Sequence, residues 1–178
     1  MNLKRTRIIS STIIFLLCFL FHFIYDWFPC FFTTIFFPVN ESIWEHMKLL
    51  YSAVIFYGII DYIILEKFKI KYNNFFISLF VSAITIIPIY LTMFLPIYYK
   101  IGENMIITIS IMLVAIIISQ AISYYILKNK TNKKLNFISL TLIILTYIVF
   151  SYLTYYPIKN ELFFDIKEEK YGLNNYNI

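Results

Sequence analysis

His22 and Asp26 stand four residues apart, so a helix that carries them presents both on one face. The chain's only other histidine, His46, lies in the run Pro38-Val39-Asn40-Glu41-Ser42-Ile43-Trp44-Glu45-His46-Met47-Lys48, which leads into an apolar stretch. At about 100° per residue, Glu41, Glu45, Lys48 and Ser52 fall on one helical stripe, with His46 about a quarter-turn away. Two ionised glutamates at that spacing repel, so Lys48, a bound cation or a shared proton must compensate. Imidazole nitrogens beside carboxylate oxygens suit a borderline divalent metal such as zinc. His22, Asp26, Glu45 and His46 are the candidate ligands, with Glu41 as the base that would activate a bound water. The same set serves equally as a general acid–base pair or a proton relay. No strict ligand spacing such as His-Glu-x-x-His is present.

A structural account competes with this chemistry. Asn40 is a good helix cap with Val39 and Trp44 at the staple positions, and Ser42 with Glu45 offers a second capping box. Negative charge in a first helical turn is favoured by the macrodipole. Trp27 and Trp44, the only tryptophans, suit an interfacial aromatic belt. Capping and anchoring leave His46 unexplained, and also His22 with Asp26 at an otherwise apolar helix end.

The elements that must position these residues are five uncharged or nearly uncharged stretches, Ile8–Tyr25, Leu49–Leu65, Phe75–Leu95, Met105–Leu127 and Phe137–Tyr156. Each approaches the roughly 20 residues needed to cross a hydrocarbon core of about 30 Å. Only 14% of the 178 residues are charged and 61% are hydrophobic, against about 25% charged in soluble domains. The expectation is an all-α membrane protein, a single five-helix transmembrane bundle over residues 1–178, multi-pass in the cell membrane with the lipid bilayer as solvent. The greasy segment between Asp26 and Asn40 is too short to span and predicts an interfacial or re-entrant piece. Asp61, the one carboxylate inside a stretch, is accounted for by snorkelling or by pairing with Lys67 or a neighbouring basic loop. Gln120, with Ser119 and Ser123, reads as interhelical hydrogen-bond glue.

The net charge of +5 is distributed as a topology signal and argues against nucleic acid. Lys4, Arg5 and Arg7, then Lys67, Lys69 and Lys71, then Lys128, Lys130, Lys133 and Lys134 occupy alternate ends of the stretches, ten of the fifteen basic residues. The positive-inside rule puts the N-terminus in the cytoplasm and the C-terminus outside. The His22 and His46 ends then share the extracytoplasmic face, where the tail 157–178 would fold back and bring Asp165 toward them. Cys18 and Cys30 are expected as unrelated free thiols.

On three segments the chain resembles a family of small bacterial integral-membrane proteins of unknown function. They are His22-Phe23-Ile24-Tyr25-Asp26-Trp27, the run from Pro38 to Leu49, and Tyr155-Tyr156-Pro157 with Leu162-Phe163-Phe164-Asp165 and Tyr171-Gly172. The resemblance implies a multi-pass protein with an outer polar motif, found mostly in low-GC Gram-positive bacteria. It supplies no reaction. Two functions follow from the residues themselves. One is an outer-face pocket for a cation, small ligand or partner membrane protein, with transport requiring a homo-oligomer. The alternative is a membrane-embedded metal-dependent hydrolase at the outer leaflet. No serine–histidine–acid set or phosphate loop competes.

Overall fold

A computed structural model describes residues 2–102 and 104–173. It contains six helices: α1 (Leu3–Trp27), α2 (Phe31–Phe36), α3 (Ile43–Lys67), α4 (Phe75–Ile101), α5 (Met105–Lys128) and α6 (Lys133–Tyr155). Five of them, all but α2, are long and apolar enough to cross a membrane. A two-stranded antiparallel hairpin follows, β1 (Phe164–Asp165) and β2 (Lys170–Tyr171), with Phe164 opposite Tyr171. Residues 174–178 of the expected tail lie outside the described residues.

Most of the long helices outrun the apolar stretches because polar caps lie beyond them. Asn2, Ser42, Asn104 and Asn132 each accept a backbone N–H from three residues on, satisfying a donor the helix itself leaves orphaned. Asn74, at φ 52°, instead stitches two connections together: its Nδ2 donates to the Lys130 carbonyl at 3.0 Å and its Oδ1 accepts from Asn132 N at 2.8 Å. The segment between α1 and α3 forms the six-residue α2, which exposes Phe31 and Phe32 and buries Thr33 and Thr34.

α3 is the central helix. Over half of its apolar window is buried (56%), against 22–28% for the other four, and it is the helix that carries Glu45, Lys48, Ser52 and Asp61 into the interior. Tyr51, Leu50 and Val54 of α3 pack with Ile14 and Cys18 of α1, Ile86 of α4 and Ile116 of α5. Tyr51 also meets Tyr147 and Phe150 of α6. Gly58 lets α4 close on α3, since a Cβ there would lie 2.7 Å from Leu79 Cδ1. The outward faces carry residues such as Ile8, Leu16, Ile59, Ile117 and Ile148, suited to lipid.

One end of this bundle is tied by a buried polar network. Arg7 of α1 pairs with Asp61 of α3, and its Nη1 donates to Ser123 Oγ at 3.0 Å and to Gln120 Oε1 at 3.4 Å on α5. Ser78 of α4 joins through Ser123 Oγ at 2.7 Å. Asp61 is thus answered by a basic residue from the segment ahead of the first apolar stretch, and Arg7 is buried in the bundle. Cys18 is buried and Cys30 exposed, both as free thiols.

Candidate metal centre

His22 projects from the last turns of α1, about 22 Å along that helix from Arg7. Across from it, Ser42 wins the capping contest: its side chain accepts from Glu45 N at 3.3 Å, so α3 begins at Ile43. Asn40 closes a turn instead, its Oδ1 accepting from Ser42 N at 2.9 Å. Glu41 therefore lies off the helix, and its carboxylate is free of the stripe that a longer helix would impose. It reaches between the imidazoles, with Oε1 at 3.5 Å from His22 Nε2 and Oε2 at 3.7 Å from His46 Nε2.

One atom each from His22, Glu41 and His46 lies within 4.8 Å of the other two. A tetrahedral ion with bonds near 2.0–2.1 Å sets its ligand atoms roughly 3.4 Å apart; the His22 contact, to Oε1, is near that length, and the His46 contact is to the other oxygen, Oε2. The His46 ring is pinned by a hydrogen bond of 2.9 Å to the Ser42 carbonyl. A carbonyl only accepts, so Nδ1 carries the proton and, in the neutral ring, Nε2 turns a lone pair toward Glu41. His22 Nδ1 is buried with no hydrogen-bond partner. Hydrogen bonding from His22 above all, then the charges of His22, His46 and Lys167, hold the Glu41 carboxyl down at about 2 against its partial burial. Glu41 is therefore anionic at neutral pH, and a cation bound here would displace the proton through which His22 donates to it.

Glu45, a candidate ligand by spacing, is directed elsewhere. Its Oε2 lies 2.6 Å from Lys48 Nζ, its Oε1 accepts from Thr154 Oγ1 at 2.7 Å, and both charged side chains are fully buried. Lys48 also donates to the Thr34 carbonyl and to Thr154 Oγ1, each at 2.9 Å. This knot joins α2, α3 and α6 rather than facing the histidines. Thr154, which completes it, carries no signal in the sequence. Asp26 is exposed and acts on His22 through its charge.

The tail packs over the Glu41 turn. Trp44 stacks on Phe163 with ring centroids 4.7 Å apart, and its backbone N–H donates to the Leu162 carbonyl at 2.8 Å. Trp44 thus packs half-buried beneath the tail, whereas Trp27 is exposed. Asp165 is wholly buried and lines the same small tail-side chamber as His46. Its carboxylate accepts from the backbone of Glu41 and Lys167, each at 2.8 Å, and of Glu168 at 3.2 Å. Asn40 Nδ2 donates to the Gly172 carbonyl at 2.9 Å. Gly172 is required there: φ is +59°, and a Cβ would stand 2.5 Å from the Thr154 carbonyl oxygen. Lys167, which the spacing argument did not select, reaches Glu41 Oε2 at 3.4 Å from an exposed position.

Charge-assisted hydrogen bonds contribute about 1.5–3 kcal/mol each, and Asp165 accepts several. Asp165→Ala is expected to undock residues 160–173 and raise their cleavage rate by a soluble protease at least about tenfold. An unchanged cleavage rate would show that the aromatic contacts alone hold the tail.

A cavity of about 390 Å³ adjoins the trio. His22, Glu41, His46 and Lys167 form its polar end, and Cys18, Phe19, Leu49, Leu50, Ile109 and Met112 form much of its apolar wall. A smaller chamber of about 50 Å³ lies on the tail side and shares Glu41, His46 and Lys167 with it.

A family model described as "Family of unknown function (DUF6512)" matches residues 1–173. The chain belongs to that family. The match takes in α1, the Glu41 turn, all the long helices and the hairpin, so the trio and the tail both lie within the matched residues. No curated protein and no solved structure matches the chain.

Proposed function

We propose that this protein is a multi-pass membrane protein that holds a divalent transition metal, zinc by ligand type, at His22, Glu41 and His46. The ion would present an open coordination position to the adjoining cavity. Three protein ligands with a vacant fourth position mark sites that act on a bound molecule, whereas purely structural zinc sites are closed by four. The observation that carries this reading is the convergence of two imidazoles and an anionic carboxylate within 4.8 Å, with the His46 ring oriented by a backbone carbonyl. Compared with the ligand set drawn from spacing, Glu41 takes the place of Glu45, and Asp26 supports His22 electrostatically. The distribution of lysine and arginine supports a cytoplasmic N-terminus and an extracytoplasmic site.

Purified protein is expected to bind about one zinc per chain, and His22→Ala or His46→Ala to weaken that binding at least about 100-fold, beyond the 10–100-fold typical of outer-shell changes. Binding is read by elemental analysis and competitive titration. A parent protein without a stoichiometric ion, or folded histidine variants that keep it, would rule the site out. Compartment reporters on the two termini check sidedness, and reporters on the same side would sink the five-crossing topology.

A second reading, metal-assisted hydrolysis, is favoured by one feature: the 390 Å³ and 50 Å³ spaces meet at Glu41 and His46, so substrate and water have separate approaches. In this reading Glu41 is the base and not a ligand: His22 and His46 would hold the ion, water would add to an ester or amide carbonyl, and Glu41 would take its proton and pass it to the departing oxygen or nitrogen as that bond breaks. The two readings part on turnover. Zinc-loaded protein that retains its ligand unconverted supports binding, and product formation abolished by Glu41→Gln in a variant that still carries its zinc supports hydrolysis.

A further inference from the structure

We propose that the ligand of this centre is a membrane lipid with an anionic phosphate head, admitted sideways between α1 and α5. The inference rests on the metal reading above and adds the class of molecule that meets the ion. The cavity is two-natured. One end carries His22, Glu41, His46 and Lys167, and the remainder is almost wholly apolar down to Cys18 and Met112. Such a lining matches neither a free ion nor a plain hydrocarbon, but a molecule polar at one end and greasy along the rest.

The cavity's depth and mouth indicate the source. Phe19 and Phe23 on α1 and Met105 on α5 line it and are themselves exposed on the apolar outer surface. The opening is therefore bordered by side chains that lipid solvates, so a bilayer molecule enters without crossing water. His22 sits near the end of α1, where head groups lie if that helix spans the membrane. The volume, near the lower limit of about 300–1,000 Å³ for small-molecule sites, holds a head group and the first part of a chain, with the rest emerging between the two helices.

Charge selects the head. With neutral imidazoles, a divalent ion and Lys167 outweigh the single negative charge of Glu41, so the polar end is net positive. A phosphate monoester offers oxygen to the open coordination position and a second oxygen to Lys167. A zwitterionic or neutral head would leave that field unmatched.

The test uses purified, zinc-loaded full chain in detergent and three probes: dioctanoyl phosphatidic acid, inorganic phosphate as the head alone, and dioctanoylglycerol as the chains alone. Calorimetric titration is expected to show phosphatidic acid binding at least about tenfold more tightly than either half. Met105→Trp, which narrows the mouth from an exposed position, and Met112→Phe, which fills the wall, should each weaken that binding about tenfold while zinc stoichiometry and gel-filtration profile stay unchanged. Inorganic phosphate binding as tightly as phosphatidic acid would overturn the proposal in favour of a free-anion site. Dioctanoylglycerol binding as tightly would overturn it in favour of a non-selective crevice, and so would indifference to both methionine substitutions. Zinc at one per chain without these preferences defeats the lipid inference alone, whereas a chain that takes no zinc defeats the metal reading and this inference with it.

Discussion

Lys48→Met is expected to destabilise the protein by about 3–5 kcal/mol, the usual cost of leaving a buried charge without its partner. Lys48 and Glu45 are both fully buried, with Nζ and Oε2 2.6 Å apart. Removing the ammonium leaves the Glu45 carboxylate with Thr154 Oγ1 and the Val39 N–H, neither of which carries charge. The Thr34 carbonyl loses its donor as well, and with it the tie between α2 and α3. Replacing both charges, as Glu45→Leu with Lys48→Met, removes the uncompensated ion and should recover part of the loss. Unfolding in mixed micelles of increasing SDS fraction measures both. A single variant within about 1 kcal/mol of the parent, or strictly additive losses in the double variant, would show that water reaches the pair.

Arg7→Met should have an effect of similar size, about 3–5 kcal/mol, at the opposite end of the bundle. Asp61 then loses its cation, and Ser123 and Gln120 lose the donor that links α5 to α1. Three helices converge on that guanidinium, so the loss should appear as looser packing among them and not as simple fraying of α1. The same micelle titration, combined with amide exchange on α5, reads it. Protection of α5 amides equal to the parent's would mean that the network contributes no cohesion. The contrast with Arg5 is informative, since that neighbour is exposed and Arg5→Met should fall within about 0.5 kcal/mol.

The five long helices were legible because each stretch is mainly aliphatic and aromatic, with Asp61 the one carboxylate inside any of them. Their true ends were less so, since Asn2, Ser42, Asn104 and Asn132 extend helices into polar sequence. At the candidate site that difference decides the chemistry. A helical wheel that starts at Asn40 sets Glu41 and Glu45 on one stripe. The cap at Ser42 instead removes Glu41 from the helix and lets it swing toward His22, while Glu45 stays on α3 and turns to Lys48. Asp165 was legible as a tail residue near this end. Its bonds to the Glu41 backbone depend on a docking 124 residues distant in sequence, which no local pattern encodes. Arg7 reads as one of several basic residues at a helix start, and only the packing of α1 against α3 and α5 distinguishes it from Arg5.

The Asp165 contact carries a consequence for biosynthesis. Every long helix precedes residues 160–173 in the chain, so each is synthesised while the Glu41 turn still lacks the acceptor that fixes its backbone. The turn that carries Glu41 is thus fixed by a stretch made after all five of those helices. Stop codons that fall just after α6 would yield products that keep the five apolar helices and lose the Asp165 carboxylate that accepts from the Glu41 backbone.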